Sequence, residues 1–80
     1  MENYQEILKD LESINLNQDS IKANMKALND WAKDSGITLD TSKGFSHNAK
    51  VIADKLSEKN DDENLNSFMG YLKTLIRFSH

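Results

Sequence analysis

The sequence predicts an all-α domain: a small four-helix, bundle-like arrangement with antiparallel neighbours and a weak third helix. Two observations predict it. Apolar residues recur with the 3.6-residue helical period in four separate stretches, and residues that start or stop helices stand at the breaks between them. Sustained heptads are absent, so a long coiled coil is not expected. Eighty residues make one domain, residues 1–80, with a modest core.

In the first stretch Tyr4, Ile7, Leu8, Leu11 and Ile14 fall within an arc of about 120°, while Glu6, Lys9, Asp10 and Ser13 face away. Residues 15–19 break the pattern, and Asn17 or Asp19 is expected to cap the next helix with its side-chain oxygen. The second helix is expected from about Gln18 to Ser35, with Ile21, Met25, Leu28, Trp31 and Ala32 as its stripe. Asn24 and Ser35 intrude on that apolar side as a polar edge. Gly36 stands where a left-handed residue ends a helix, and Ile37 follows as its apolar contact.

Residues 37–44 form the longest break, in which Ile37 and Leu39 are expected to pin the loop and Asp40, Thr41 and Ser42 offer caps. The third helix uses Phe45, Ala49, Ile52, Ala53 and Leu56. Its stripe is thin and Val51 points elsewhere, so it is expected to be the weakest and most mobile element. Asn60 is read as the cap of the fourth helix, with Glu63 at N3 as in a capping box. Asp61, Asp62 and Glu63 suit the positive end of its dipole. Gly70, in the middle of that helix on its polar side, marks a close approach, a kink or tolerated drift. The expected core is Ile7, Leu11, Ile21, Leu28, Trp31, Ile52, Leu56, Leu65, Phe68, Leu72 and Ile76.

Composition excludes several functions. There is no cysteine, so disulfides and thiolate zinc sites are out. The net charge of −3 argues against a nonspecific binder of nucleic acid or anionic membrane. Residues 1–40 hold eight acids against four bases and residues 41–80 five against six, an imbalance too small for a DNA mimic. The acidic, polar N-terminus has no signal-peptide pattern, and no apolar run approaches the roughly 20 residues that span a bilayer, so a cytoplasmic protein is expected. Nine asparagines and the absence of proline hint at an AT-rich coding sequence, as in low-GC bacteria and their phages.

No catalytic or metal-binding constellation is found, and the protein is expected not to be an enzyme and to need no cofactor. Ser46 and His47 are adjacent, which on a helix splays the two side chains by about 100° and gives no dyad. His80 is the last residue. Asp61-Asp62-Glu63 lacks the alternating ligands and the glycine of a calcium loop, and Gly36, Gly44 and Gly70 are too scattered to cradle phosphate.

Two local resemblances supply alternatives. Asp19-Ser20-Ile21 at the start of a helix resembles the Asp-Ser-Leu motif of acyl and peptidyl carrier proteins, which implies phosphopantetheine on Ser20. That likeness extends to Gly36-Ile37-Thr38-Leu39-Asp40 but departs in the short link before the serine. Ala32 and Gly36-Ile37 are similar to the turn of a helix-turn-helix, which implies DNA binding with Lys43 and Lys50 on the recognition helix. There the buried aliphatic expected near Ser42 is missing, and so is a basic surface.

The main functional expectation comes from the fourth helix. Leu65, Phe68, Met69, Leu72, Leu75 and Ile76 line one stripe, and Tyr71 and Phe78 roughly double its width. Tyr71, Leu75 and Phe78, with Val51 as a possible neighbour, are the candidate protein interface. The expected function is a non-enzymatic protein-binding module: a small inhibitor, immunity or regulatory protein that occludes a protein partner or dimerises through helix four.

Overall fold

A computed structural model of the chain describes residues 4–14 and 18–78, apart from the side chain of Gln18. Four helices follow one another: α1 (Tyr4–Glu12), α2 (Gln18–Ser35), α3 (Phe45–Glu58) and α4 (Asp62–Phe78). Among the described residues there is no strand. One core joins all four helices. Ile7, Leu8 and Leu11 come from α1; Leu28 and Ala32 from α2; Phe45, Ala49, Ile52, Ala53 and Leu56 from α3; and Leu65, Phe68, Met69 and Leu72 from α4.

The helix with the thinnest stripe lies at the centre. α3 packs against α1, α2 and α4 alike. Ala49 and Ala53, both fully buried, carry almost no side chain and let neighbouring helices approach on several sides. A narrow row of small residues thus serves a helix enclosed by three others.

Two expected core members stop at half-burial, Trp31 and Ile76, each packed on the rim of the core. Ile21 departs further: it is 36% exposed. It lies on the apolar face of α2, but in the first turn, where the neighbouring helices leave it uncovered.

The helix ends follow from local chemistry. Gly36 has φ of +70°, its N–H donates to the Lys33 carbonyl, and the Ile37 N–H donates to the Ala32 carbonyl at 2.8 Å. This is the Schellman closure expected there, with Ile37 packed on the core as its apolar contact. The end of α3 repeats it. Asn60 takes φ of +56°, its N–H donates to the Ser57 carbonyl, and the Asp61 N–H donates to the Leu56 carbonyl. Asn60 therefore ends α3 and does not cap α4. The cap is Asp61, whose Oδ1 accepts the Asn64 N–H at 3.3 Å while its Oδ2 accepts the Asn64 side-chain amide at 2.7 Å. Of the two caps expected for α2, Asp19 is the second residue of the helix and contributes charge to its first turn, and Asn17 lies outside the described residues.

α3 starts differently from expectation. Its N-cap is Gly44, in extended conformation and without a side-chain cap bond. The side chains of Asp40, Thr41 and Ser42 do not cap the helix; Asp40 Oδ1 instead accepts the Ser42 N–H and hydroxyl. The loop is organised by Asn48, a fully buried polar residue of α3. Its amide nitrogen donates to the carbonyls of Asp40, Lys43 and Gly44, and its Oδ1 accepts the Asp40 N–H at 3.1 Å. These bonds satisfy the buried Asn48 amide and tie the turn from Asp40 to Gly44 onto α3.

Cross-helix contacts give the directions. Asn24 meets Tyr71 and Trp31 meets Phe68, so α2 and α4 run antiparallel. Only Lys59, Asn60 and Asp61 link α3 to α4, which turns the chain back on itself. At the far end of the connection between α2 and α3, the C-termini of the two helices lie side by side, where Lys59 Nζ donates to the Ser35 carbonyl at 2.7 Å. The connection spans Gly36 to Gly44 and returns along α3, so these two helices point the same way.

Candidate functional site

The apolar surplus on α4 divides in two. Tyr71 faces α2: its hydroxyl donates to Asn24 Oδ1 at 2.7 Å, and its ring lies 6.2 Å from that of Phe68. Asn24 in turn donates its amide to the Ser20 carbonyl at 2.8 Å, so the polar residue noted on the apolar side of α2 is satisfied within the fold. Burial between the two helices pushes the Tyr71 phenol up to about 12. Leu75 is half-buried against the core. Phe78, in the last turn, is 81% exposed.

Ile21, expected in the core from its place on the apolar stripe of α2, belongs to the same surface. It sits one turn before Asn24 on α2, and Phe78 lies two turns after Tyr71 on the antiparallel α4. Both therefore belong to the end of the bundle where α2 begins and α4 finishes. They are the two large apolar side chains most open to solvent among the described residues. A sequence signal for Ile21 existed in its distance from the helix start, since a first-turn residue is covered only if neighbours extend as far.

Val51 lies elsewhere. It is half-buried and lines an open groove of about 430 Å³ with Gly36, Ile37, Thr38, Asp54, Lys55 and Glu58. No residue of α4 lines this groove, so the structure separates Val51 from Tyr71, Leu75 and Phe78.

The residues tested for chemistry are dispersed. Ser20 is the third residue of α2 and half-buried. Ser46 is half-buried and His47 exposed, with no hydrogen bond between them; His80 lies outside the described residues. Among the described residues no three His, Asp or Glu side chains gather as they would around a metal ion. Ser42 holds the Asp40 carboxyl below its usual range through its hydroxyl and its N–H. That arrangement fixes a turn and presents no reactive group. The nine residues between Ser35 and Phe45 exceed the three- to four-residue turn that sets two helices of a DNA-binding pair. No described helix is long and apolar enough to cross a membrane.

Comparison with known proteins adds no relative: no protein-family model, no curated protein and no solved structure matches this chain significantly.

Proposed function

We propose that this chain is a non-enzymatic protein-binding module, of the kind that acts as a small inhibitor, immunity or regulatory protein. It occludes a protein partner, or pairs with a second copy of itself, through the C-terminal end of α4. The observation that carries this reading is the exposure of Phe78, an aromatic side chain held on a helix with four-fifths of its surface in water. Burying such a side chain is worth about 1.5–3 kcal/mol, and aromatic anchors of this kind dominate protein interfaces. Leu75 forms the inner edge of the surface, and Ile21 adds a second apolar contact at the same end. Tyr71 contributes its position more than its surface, because its hydroxyl is committed to Asn24.

The test is affinity purification with the wild-type chain and with Phe78→Ser, combined with light scattering of both over a range of concentrations. The reading expects either a mass that rises with concentration or a co-purifying protein, in each case lost in Phe78→Ser. A wild-type chain that stays monomeric and retains the same proteins as the variant would refute it.

A further inference from the structure

The seam between α2 and α4 carries a projection at one end and a recess at the other. The projection is Phe78, where α2 begins and α4 finishes. The recess is an open groove of about 220 Å³ around Trp31, the single tryptophan, lined by Ala27, Asp30, Trp31 and Asp34. Tyr71 and Phe78 stand seven residues apart, as do Asn24 and Trp31, so each pair shares one flank of its helix. The Tyr71 hydroxyl meets Asn24 and the Trp31 ring meets Phe68, which places both flanks along one seam. We propose that this face pairs with a second copy of the chain about a two-fold axis, Phe78 of each protomer seating on Trp31 of its partner and Arg77 reaching Asp30 and Asp34. This rests on Phe78 being an interface anchor, as proposed above, and names what the anchor enters.

Three features favour that occupant. The first is that projection and recess share a face. In an isologous contact residue i meets j and j meets i, so one face must carry both halves; a foreign partner needs only one of them. Phe78 stands ten residues beyond Phe68, about 15 Å along α4, and Phe68 is level with Trp31. A two-fold axis lying in the face and crossing the seam midway exchanges the two positions. Asn24 is level with Tyr71, so this axis passes beside Ala23, an exposed residue small enough for two copies of α2 to approach.

The second is charge. α4 carries no acid after Glu63, and near its end Lys73 and Arg77 make no ion pair among the described residues. The groove at Trp31 is lined by two carboxylates and no cation; Lys26 and Lys33 of α2 lie outside it, and neither Asp30 nor Asp34 is paired. Asp34 also stands in the last turn of α2, where the helix dipole disfavours a carboxylate. Asp19, an acid at the Phe78 end, already has the positive start of α2 and makes no ion pair with Arg77. The two ends of the face therefore complement each other when the axis exchanges them.

The third is the floor of the recess. Trp31 is half-buried, and its ring is held from within by the buried Phe68 at 5.3 Å in an edge contact. The indole is thus fixed before anything binds, and little freedom is lost when a second ring meets it. Ala27 beside it adds no bulk, which leaves the ring open to an incoming aromatic side chain. Tryptophan and arginine, the two residue types most often found as interface anchors, would both be engaged in each half of the contact.

The test is sedimentation equilibrium of the full chain together with Trp31 fluorescence over a dilution series, for the wild type, Asp34→Arg, Arg77→Asp and the double variant. The wild type is expected to double in mass with concentration while Trp31 emission moves to shorter wavelength, as the partner's Phe78 displaces water from the indole. Asp34→Arg suits the end of α2 and should fold normally. It and Arg77→Asp should each weaken dimerisation about tenfold or more, and the double variant should recover it. A dimer that forms without a change in Trp31 emission, that ignores the single reversals, or that the double variant fails to restore would overturn the pairing. A wild type that stays monomeric would overturn it too. If that monomer still retains a protein that Phe78→Ser loses, Phe78 anchors a different partner and the second copy alone is excluded.

Discussion

The Tyr71 hydroxyl donates to Asn24 Oδ1 across 2.7 Å and ties α4 to α2 through two residues 47 positions apart. Tyr71→Phe keeps the ring against Phe68 and removes only this bond. The expected loss is about 1 kcal/mol in urea unfolding, because a part-buried acceptor on Asn24 is left without its donor. Burial of the same phenol also sets a pH dependence. Burial raises the phenol to about 12, above its unfolded value near 10, so the folded state favours the neutral form. That stabilisation is fully present below about pH 10 and is lost as pH rises through about 12. A phenolate absorbance titration of the Tyr4→Phe variant, in which Tyr71 is the remaining tyrosine, should show a midpoint near 12. A midpoint near 10 would mean that the phenol is open to water.

Asn48 is expected to be the most sensitive polar residue of the fold. It is fully buried, and its amide meets backbone groups at both ends of the turn from Asp40 to Gly44. Asn48→Ala leaves the Asp40 N–H without its acceptor, at about 1–3 kcal/mol, while the Asp40 and Gly44 carbonyls keep the backbone N–H groups of residues 43 and 48. Asn48→Asp should be worse at neutral pH, since a carboxylate cannot donate to the carbonyls of Asp40 and Gly44 and its charge would be buried. Thermal melts should rank wild type above the alanine variant and the alanine variant above the aspartate variant. An aspartate variant as stable as wild type would mean that the turn does not depend on this amide.

The glycines separate by backbone conformation. Gly36 has φ of +70°, and although a Cβ there would touch nothing, an L-residue is strained in that region. Gly36→Ala should therefore cost about 1 kcal/mol. Gly70 is helical and exposed, and a Cβ added there meets nothing within 4 Å. Of the roles the sequence left open for Gly70, close approach of a neighbouring backbone is thus excluded. Gly70→Ala should stabilise the protein by about 1 kcal/mol through reduced freedom of the unfolded chain. Opposite shifts of the two melting temperatures are the expected result.

Much of the fold could be read from the sequence because helix rhythm and helix ends are local properties. Gly36-Ile37 carries its own closure, and α2 begins and ends where its apolar run does. What the rhythm cannot give is position along the axis. Ile21 has the correct phase for the core, but nothing in the sequence tells where the neighbouring helices stop. The same gap hid the difference between Tyr71 and Phe78, which share one flank of α4 while α2 shelters only the first. Asn60 looks like a cap for α4 in the sequence, but two helices share a three-residue link, and the end of the first claims it before the second begins. Asn48 did leave a trace: it stands three residues after Phe45 and four before Ile52, a polar side chain in register with the apolar stripe.

Leu72 and Phe78, both apolar and both on α4, should respond in opposite ways to a polar replacement. Leu72 is fully buried in the core, and Leu72→Asp would place an unpaired charge there, so no cooperative folding transition is expected. Phe78 is 81% exposed, so Phe78→Ser should leave the unfolding free energy within about 0.5 kcal/mol of wild type. The second variant separates folding from binding. If Phe78 is the anchor of an interface, its replacement abolishes association while the circular dichroism and melt stay those of the wild type. If instead Phe78→Ser unfolds the protein, the side chain is packed within the protomer and the C-terminal end of α4 offers no free surface. Ile21→Ser provides the internal control, because its 36% exposure predicts a loss of stability between those of the other two.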